Sequence, residues 1–153
     1  MAMDGVDETR VGAMGGSQGG ALALAGAALE PRIARVVSLH PFLCDYKRVW
    51  EMDLAVDAYS ELKDFFRKFD PQHKREDEIF KKLGYIDVQH HAASIAADVL
   101  FGATLSDTIC PPSTQFAAYN KIRAEKSIEV YPDFGHEPPP GFWDSTFNFM
   151  MGL

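Results

Sequence analysis

The sequence predicts an α/β fold in which a parallel sheet is flanked by helices on both faces. Short β-branched or apolar runs alternate with longer helical patterns along the 153-residue chain. Two of these runs are apolar almost throughout, as is typical of strands that are buried on both faces. A glycine-rich turn, "GGSQGG", separates the first predicted strand from the first predicted helix. Because strands that alternate with helices are joined by crossover connections, we expect them to pair in parallel.

The first strand, turn and helix lie close to the start of the chain. Arg10 to Met14 is compatible with a short strand, and the glycines follow it directly. The segment "ALALAGAALE" then has small and apolar residues at spacings of three and four, which predicts a close-packing helix that ends near Pro31. The residues expected on its inner face are Ala21, Leu22, Ala25, Ala28 and Leu29.

Three further strands and four further helices are predicted after this unit. The strands are Ala34 to His40, Ala97 to Thr104 and Ser127 to Tyr131. The helices are Ala58 to Phe69, Arg75 to Leu83, Pro111 to Ile122 and Phe142 to Met151. The helical period places Tyr59, Leu62, Phe66 and Phe69 on one apolar stripe, and Trp143, Phe147 and Met150 on another that we expect to face inward.

The composition excludes several classes of partner. A net charge of −7 argues against nucleic acid and anionic membranes, both of which require basic patches. The N-terminal segment "MAMDGVDETR" is too polar and acidic for a targeting peptide. The cysteines, Cys44 and Cys110, form neither a metal-type pair nor a disulfide framework, so a cytoplasmic setting is expected.

We predict a single domain that contains residues 1–153.

The glycine-rich turn has four possible interpretations. A flexible linker is disfavoured, because a predicted strand precedes the turn and an Ala/Leu-rich helix follows it at once. A phosphate-binding loop requires a lysine after the glycines, and a dinucleotide-binding turn requires a GxGxxG spacing; the sequence has neither. The pattern that fits is Gly15-Gly16-Ser17-Gln18-Gly19, a GxSxG nucleophile elbow between a strand and a helix. Small residues two positions on either side of Ser17 are expected to avoid clashes in this strained turn. The Gln18 N–H, at the start of the helix, is then free to meet a developing oxyanion.

A serine nucleophile requires an acid and a histidine, which follow it in this order along such a chain. Asp107 and His136 each come shortly after a predicted strand, at the sheet edge where an active site is expected. The competing interpretations are a turn or capping aspartate and a surface-loop histidine. Asp133 and Glu137 are too close to His136 in sequence to be favoured as its partner.

The other histidines are weaker candidates for a functional role. Adjacent side chains such as those of His90 and His91 point apart, and no further ligand set accompanies them. We interpret His40 and His73 as structural residues, and we expect no metal.

Four segments, "GGSQGG", "PFLCDY", "DTICPPSTQFAAYN" and "YPDFGHE", resemble in sequence and order the acetyl xylan esterase / cephalosporin C deacetylase family, carbohydrate esterase family seven. The resemblance covers essentially the whole chain and implies an α/β-hydrolase fold. It implies an esterase that removes acetyl groups from xylo-oligosaccharides and cephalosporin C, without a metal or organic cofactor. It also implies assembly as a homo-oligomer, typically a ring-shaped hexamer. The family positions match Ser17, Asp107 and His136 for catalysis, Gln18 for the oxyanion hole, and Phe42 and Ile109 for the small acyl pocket.

The resemblance also implies that this chain is the C-terminal half of such a fold. In that fold the elbow follows the fifth strand, and each βαβ unit takes roughly 30 residues. We therefore expect an N-terminal half, with a tyrosine-bearing loop that supplies a second oxyanion donor, to be absent. The alternative function is a non-catalytic truncated fragment that associates with itself or with the missing half.

Overall fold

The structure, a computed structural model, describes residues 4–153 and contains one four-stranded parallel sheet. The strands pair in the order β1-β2-β3-β4. They are β1 (Val11–Gly16), β2 (Ile33–Leu39), β3 (Asp98–Thr104) and β4 (Lys126–Tyr131). All four predicted strands are confirmed, because no observed end differs from the predicted end by more than two residues.

The helices follow the predicted order, with two additions. They are α1 (Gln18–Leu29), α2 (Tyr46–Glu51), α3 (Ser60–Phe69), α4 (Glu76–Leu83), α5 (Val88–His91), α6 (Pro112–Tyr119) and α7 (Phe142–Met150). The unpredicted helices α2 and α5 are only six and four residues long, too short to give a periodic signal. Each begins at an aspartate whose side chain accepts a backbone N–H, Asp45 for α2 and Asp87 for α5. Among residues 4–153, no helix has both the length and the apolar character needed to cross a membrane.

Successive residues of the central strands alternate between two hydrophobic cores. On one face of the sheet, Val36 and Val99 pack in the core that contains Leu24 of α1. On the other face, Val37 packs in the core that contains Phe142 of α7. This alternation follows from the two-residue period of a strand. Helices therefore cover both faces of the sheet, as the sequence predicts.

The predicted inner face of α1 is wrong in part. Leu22 and Leu29 are 58% and 77% exposed, whereas the buried residues include Gly20, Ala23 and Leu24. Nearly every residue of this helix is small or apolar, so no side of it differs enough for the sequence pattern to select a face. The packing against the sheet selects it instead.

The predicted inner face of α7 is also wrong in part. Trp143 and Phe147 are 44% and 64% exposed, and Met150 is half-buried against the core of Phe142, which is fully buried. Gly102 of β3 explains this rotation, because a Cβ atom there would lie only 2.6 Å from the Phe142 ring. The absence of a side chain at Gly102 makes room for Phe142, which sets the orientation of the helix.

The long connection between β2 and β3 forms a separate helical layer with its own core. Helices α2, α3 and α4 contribute Tyr46, Phe66 and Phe80 to this core, which is distinct from the two cores of the sheet. The predicted stripe on α3 is confirmed for Tyr59 and Phe66, which are buried, but is wrong for Phe69, which is 60% exposed. This layer reaches the glycine-rich turn through Phe42, whose N–H donates to the Ser17 carbonyl at 3.0 Å.

Candidate active site

Ser17 occupies a strained turn between β1 and α1. Its backbone has φ 55° and ψ −123°, a conformation that is rare for a residue with a side chain. The turn is tight, because a Cβ atom on Gly15 would lie 2.3 Å from the backbone of Gly19. A Cβ atom on Gly20 would lie 2.9 Å from Ser38 Oγ, whereas one on Gly19 would meet nothing within 4 Å. The expected crowding is therefore present at Gly15 but absent at Gly19. On the helix side of Ser17, the glycine that has no space for a side chain is Gly20.

The structure brings Ser17, His136 and Asp107 together in one hydrogen-bonded line. His136 Nε2 lies 2.9 Å from Ser17 Oγ, and His136 Nδ1 lies 2.8 Å from Asp107 Oδ2. Ser17 is separated from His136 by 119 residues and His136 from Asp107 by 29. They meet because the elbow and the loops after β3 and β4 lie at the carboxyl end of the same parallel sheet.

The Asp107 carboxylate is held by its own loop. Its Oδ1 accepts the N–H groups of Ile109 and Cys110, each at 2.8 Å. Its Oδ2 also accepts the hydroxyl of Thr104 at 3.3 Å. The side chain is fully buried, while that of His136 remains 21% exposed. A carboxylate held by this many donors has a fixed orientation, in which Oδ2 can accept the His136 Nδ1–H.

Gln18 is the first residue of α1, so helix geometry gives its N–H no acceptor within the helix. The amide follows the Ser17 hydroxyl directly in the chain and belongs to the positive end of a 12-residue helix. Such an amide can donate to an oxygen that gains negative charge during attack by Ser17.

A cleft of about 620 Å³ adjoins the elbow on the side of the helical layer. Gln18 and Phe42 line it together with apolar residues of α3 and α4 such as Leu62 and Leu83. Phe42 packs against Tyr59 with ring centroids 4.4 Å apart. The structure therefore brings Phe42 to this cleft; Ile109 is half-buried in the Asp107 loop and is not among the residues that line it.

Both cysteines are buried and free. Burial raises the pKa of the Cys110 thiol to about 12; the nearby charge of Asp107 acts in the same direction and the Ser17 hydroxyl opposes it. Burial also raises the pKa of Cys44 well above the usual range for a thiol. Neither group forms a thiolate near neutral pH, so neither thiol is a nucleophile there.

His40 is the site residue that the sequence reasoning missed. It follows β2, is 4% exposed, and its ring lies against that of His136 with centroids 4.4 Å apart. Its Nδ1 lies 3.4 Å from the hydroxyl of Thr104. The sequence analysis interpreted His40 as structural; its position after a parallel strand, the signal used for Asp107 and His136, could have placed it beside them.

The possible metal ligands in the described part of the chain belong to this same site. Ligand atoms of His40, Asp107 and His136 lie within 4.8 Å of one another. Asp107 and His136 already bond to each other, and His136 also contacts Ser17. Within residues 4–153, His90 and His91 form no such group with a carboxylate or a cysteine.

The fold of the chain is of the α/β-hydrolase type, and solved structures with that fold superpose on it. The chain belongs to the acetyl xylan esterase family, because the family model described as "Acetyl xylan esterase (AXE1)" matches residues 1–153. This confirms the family resemblance of the four sequence segments.

Three individual relatives support the assignment. Acetyl xylan esterase 1 from Thermoanaerobacterium sp. JW/SL YS485 is 61% identical with a TM-score of 0.96, and the match covers 98% of this chain and 47% of that one. Acetyl xylan esterase from Paenibacillus sp. R4 is 40% identical with a TM-score of 0.94, covering 99% and 48%. Acetyl esterase Axe7A from Xylanibacter ruminicola is 32% identical over 126 residues, which is 82% of this chain and 27% of that protein. The chain thus spans about half the length of the two solved relatives.

Proposed function

We propose that the protein is a serine carboxylesterase that removes acetyl groups through an acyl-enzyme intermediate. The observation that carries this proposal is the line of hydrogen bonds from Ser17 Oγ to His136 Nε2 at 2.9 Å and from His136 Nδ1 to Asp107 Oδ2 at 2.8 Å. A nucleophile that is bonded to a base, which is itself oriented by an acid, is the arrangement that acyl transfer requires.

The proposed reaction proceeds in two halves. In the first, His136 Nε2 takes the Ser17 proton while Ser17 Oγ bonds to the acetyl carbonyl carbon, and the alcohol then leaves with the proton from His136. In the second, His136 takes one proton from water as the water oxygen attacks the same carbon, Ser17 Oγ leaves with that proton from His136, and the product leaves as acetic acid, which loses its remaining proton to the solvent. Asp107 stabilises the imidazolium in both halves, and the Gln18 N–H donates to the oxyanion.

We propose acetylated xylo-oligosaccharides as the substrate class, with cephalosporin C as a further acetyl ester. The names of the matched relatives, acetyl xylan esterases and an acetyl esterase, support the acetyl group. Phe42 and Ile109 are proposed to limit the acyl pocket, so alanine at either position should improve the relative turnover of butyryl esters. No change in chain-length preference would remove that residue from the pocket.

We also propose a homo-oligomer in the cytoplasm, without nucleic acid or membrane partners. The net charge of −7 supports the absence of those partners, and the two free buried cysteines suit a reducing compartment.

An acetyl-ester assay tests the proposal. Ser17→Ala, Asp107→Asn and His136→Ala should each abolish most of the activity, because the three groups act as one unit. Activity that survives Ser17→Ala would contradict the proposal, and an inactive protein would favour the non-catalytic alternative.

A further inference from the structure

His40 contacts the proposed catalytic pair of His136 and Asp107 from the end of β2. Its ring packs against the His136 ring at an interplanar angle of 34°. Its Nδ1 contacts Thr104 Oγ1 at 3.4 Å, and the same oxygen lies 3.3 Å from Asp107 Oδ2. His40 is therefore connected to the pair twice, once by ring contact and once through a hydroxyl.

The chemistry of the three groups fixes the direction of these hydrogen bonds. An ionised carboxylate can only accept, and it attracts a proton more strongly than a neutral imidazole nitrogen does. Thr104 has one hydroxyl proton, which is therefore directed at Asp107. The contact with His40 must then be donated by His40, so its Nδ1 carries the proton.

A neutral His40 is consistent with its surroundings. Burial, followed by the effect of His136, lowers the pKa of His40 to about 4, while Asp107 acts in the opposite direction. The ring is thus uncharged over the range in which a histidine base works.

The middle of this network is rigid. Thr104 is fully buried at the end of β3. Its N–H donates to Gln115 Oε1 and its carbonyl accepts from Gln115 Nε2, each at 3.2 Å. Because both backbone groups are held by α6, the hydroxyl stays in reach of Asp107 and His40 at the same time.

We propose that His40 is a positioning residue for the deacetylation reaction, acting by donating its Nδ1–H to Thr104, which in turn holds the Asp107 carboxylate for His136. This inference rests on the proposed esterase function. Although the Thr104 backbone is held, its side chain can rotate about the Cα–Cβ bond once the His40 donor is lost; the hydroxyl then moves away from Asp107, which loosens the orientation of the His136 ring without altering the substrate cleft.

Two substitutions at His40 separate its hydrogen bond from its ring contact. His40→Phe keeps a ring against His136 but removes the donor; His40→Asn removes the ring but keeps an N–H at the place of Nδ1. Asparagine also tolerates the positive φ of 31° at this position. We expect kcat for an acetyl ester to fall about tenfold in His40→Phe with little change in KM, and to remain near the native value in His40→Asn.

Substitutions at Thr104 test the route. Thr104→Val should lower kcat as His40→Phe does. Thr104→Ser keeps the hydroxyl, so its kcat should remain near the native value. Because both changes interrupt one path, the double variant His40→Phe/Thr104→Val should fall no further than either single variant. His73→Phe is the matched control, since His73 also has a positive φ (53°) and also stacks on aromatic rings but lies in the helical layer.

A proton NMR spectrum provides a readout that does not depend on turnover. The Nδ1–H of His136 that is bonded to Asp107 should resonate far downfield, and His40→Phe and Thr104→Val should both move it upfield. Loss of activity in His40→Asn equal to that in His40→Phe, additive effects in the double variant, or an unmoved resonance would overturn the inference. Activity that persists in Ser17→Ala would instead overturn the esterase proposal on which it rests. If His40→Phe does not fold, the kcat values of Thr104→Val, Thr104→Ser and His40→Asn still test the positioning role of His40.

Discussion

Gly15 and Gly19 flank Ser17 symmetrically in the sequence but differ in the space around them. A Cβ atom on Gly15 would lie 2.3 Å from the backbone of Gly19, whereas one on Gly19 itself has open space. Backbone atoms at this turn cannot move away as a flexible side chain can, because they form the first turn of α1. The GxSxG pattern is therefore sensitive to substitution at one glycine and tolerant at the other.

We predict that Gly15→Ala lowers the free energy of unfolding by about 3 kcal/mol, because the new methyl group must displace that backbone. Gly19→Ala, the matched control within α1, should be neutral or stabilising by up to about 1 kcal/mol, because alanine favours a helix over glycine. Urea unfolding of both variants measures the difference. Equal stability of the two variants would contradict this account of the turn.

The lowered pKa of His40 also predicts how the free energy of unfolding depends on pH. Its pKa in the folded protein is about 4, below the ordinary value of 6.5. Between pH 4 and pH 6.5 the unfolded chain binds a proton at His40 that the folded protein does not bind. The contribution of His40 to the free energy of unfolding is therefore complete above pH 6.5 and is lost progressively as the pH falls toward 4. The contribution of this one residue is at most about 3 kcal/mol.

Urea unfolding at several pH values tests this prediction. His40→Asn should show a smaller loss of stability between pH 6.5 and 4 than the native protein shows. Ser113→Ala serves as the control; because it removes no titratable group, it should retain the native slope. An unchanged slope in His40→Asn would show that His40 is not the group responsible.

Among the elements, α6 acts on the site without contacting it directly. Its Gln115 is fully buried, accepts the Thr104 N–H, and donates to the carbonyls of Thr104 and Cys110. These contacts bridge the two ends of the loop that carries Asp107. The amide thus sets the shape of the acid loop; it lies within the segment "DTICPPSTQFAAYN", but the sequence analysis gave it no role.

We predict that Gln115→Leu lowers the free energy of unfolding by about 2–4 kcal/mol, because a side chain of similar size leaves three buried backbone groups unpaired. It should also reduce kcat for acetyl esters by displacing Asp107. Ser113→Ala on the same helix is the control, since the Ser113 hydroxyl makes only a long contact with the Met52 sulfur at 3.7 Å. Full activity and stability in Gln115→Leu would contradict the bridging role.

For the whole molecule, the strand that carries the elbow is an exposed edge of the sheet. Within residues 4–153, β1 pairs only with β2, so its other edge has unpaired N–H and C=O groups. Met14 on this strand is 51% exposed, and apolar side chains of the helices on both faces, Leu22, Leu29, Trp143 and Phe147, are also exposed. An edge of this kind lacks the charges and prolines that normally prevent strand pairing.

We predict that the 153-residue chain self-associates through β1 or is poorly soluble. Met14→Lys should reduce the association seen by light scattering, because a charge on the edge strand disfavours pairing. Val130→Lys is the control, since Val130 is 43% exposed on β4 at the opposite side of the sheet. A stable monomer with slow amide exchange at Val11 to Met14 would contradict the prediction.

The order of elements and the three residues of the proposed triad could be predicted from the sequence because their signals are local. A strand is marked by a few consecutive apolar or β-branched residues, and the elbow by glycines beside Ser17. Asp107 and His136 follow predicted strands, and a parallel sheet brings the ends of its strands to one edge. Chain order and topology together were therefore sufficient to predict their meeting.

Only the tertiary structure decided which side of a helix is buried and which residues support the site. Helix α1 is apolar on all sides, and α7 is oriented by the space above Gly102, so periodicity could not select either inner face. His40 lies 64 residues from Thr104 in the chain, and no local pattern records that their side chains meet. The sequence by itself determined the elements and their order, since these depend on neighbouring residues; packing decided faces and partners, because these depend on residues far apart in the chain.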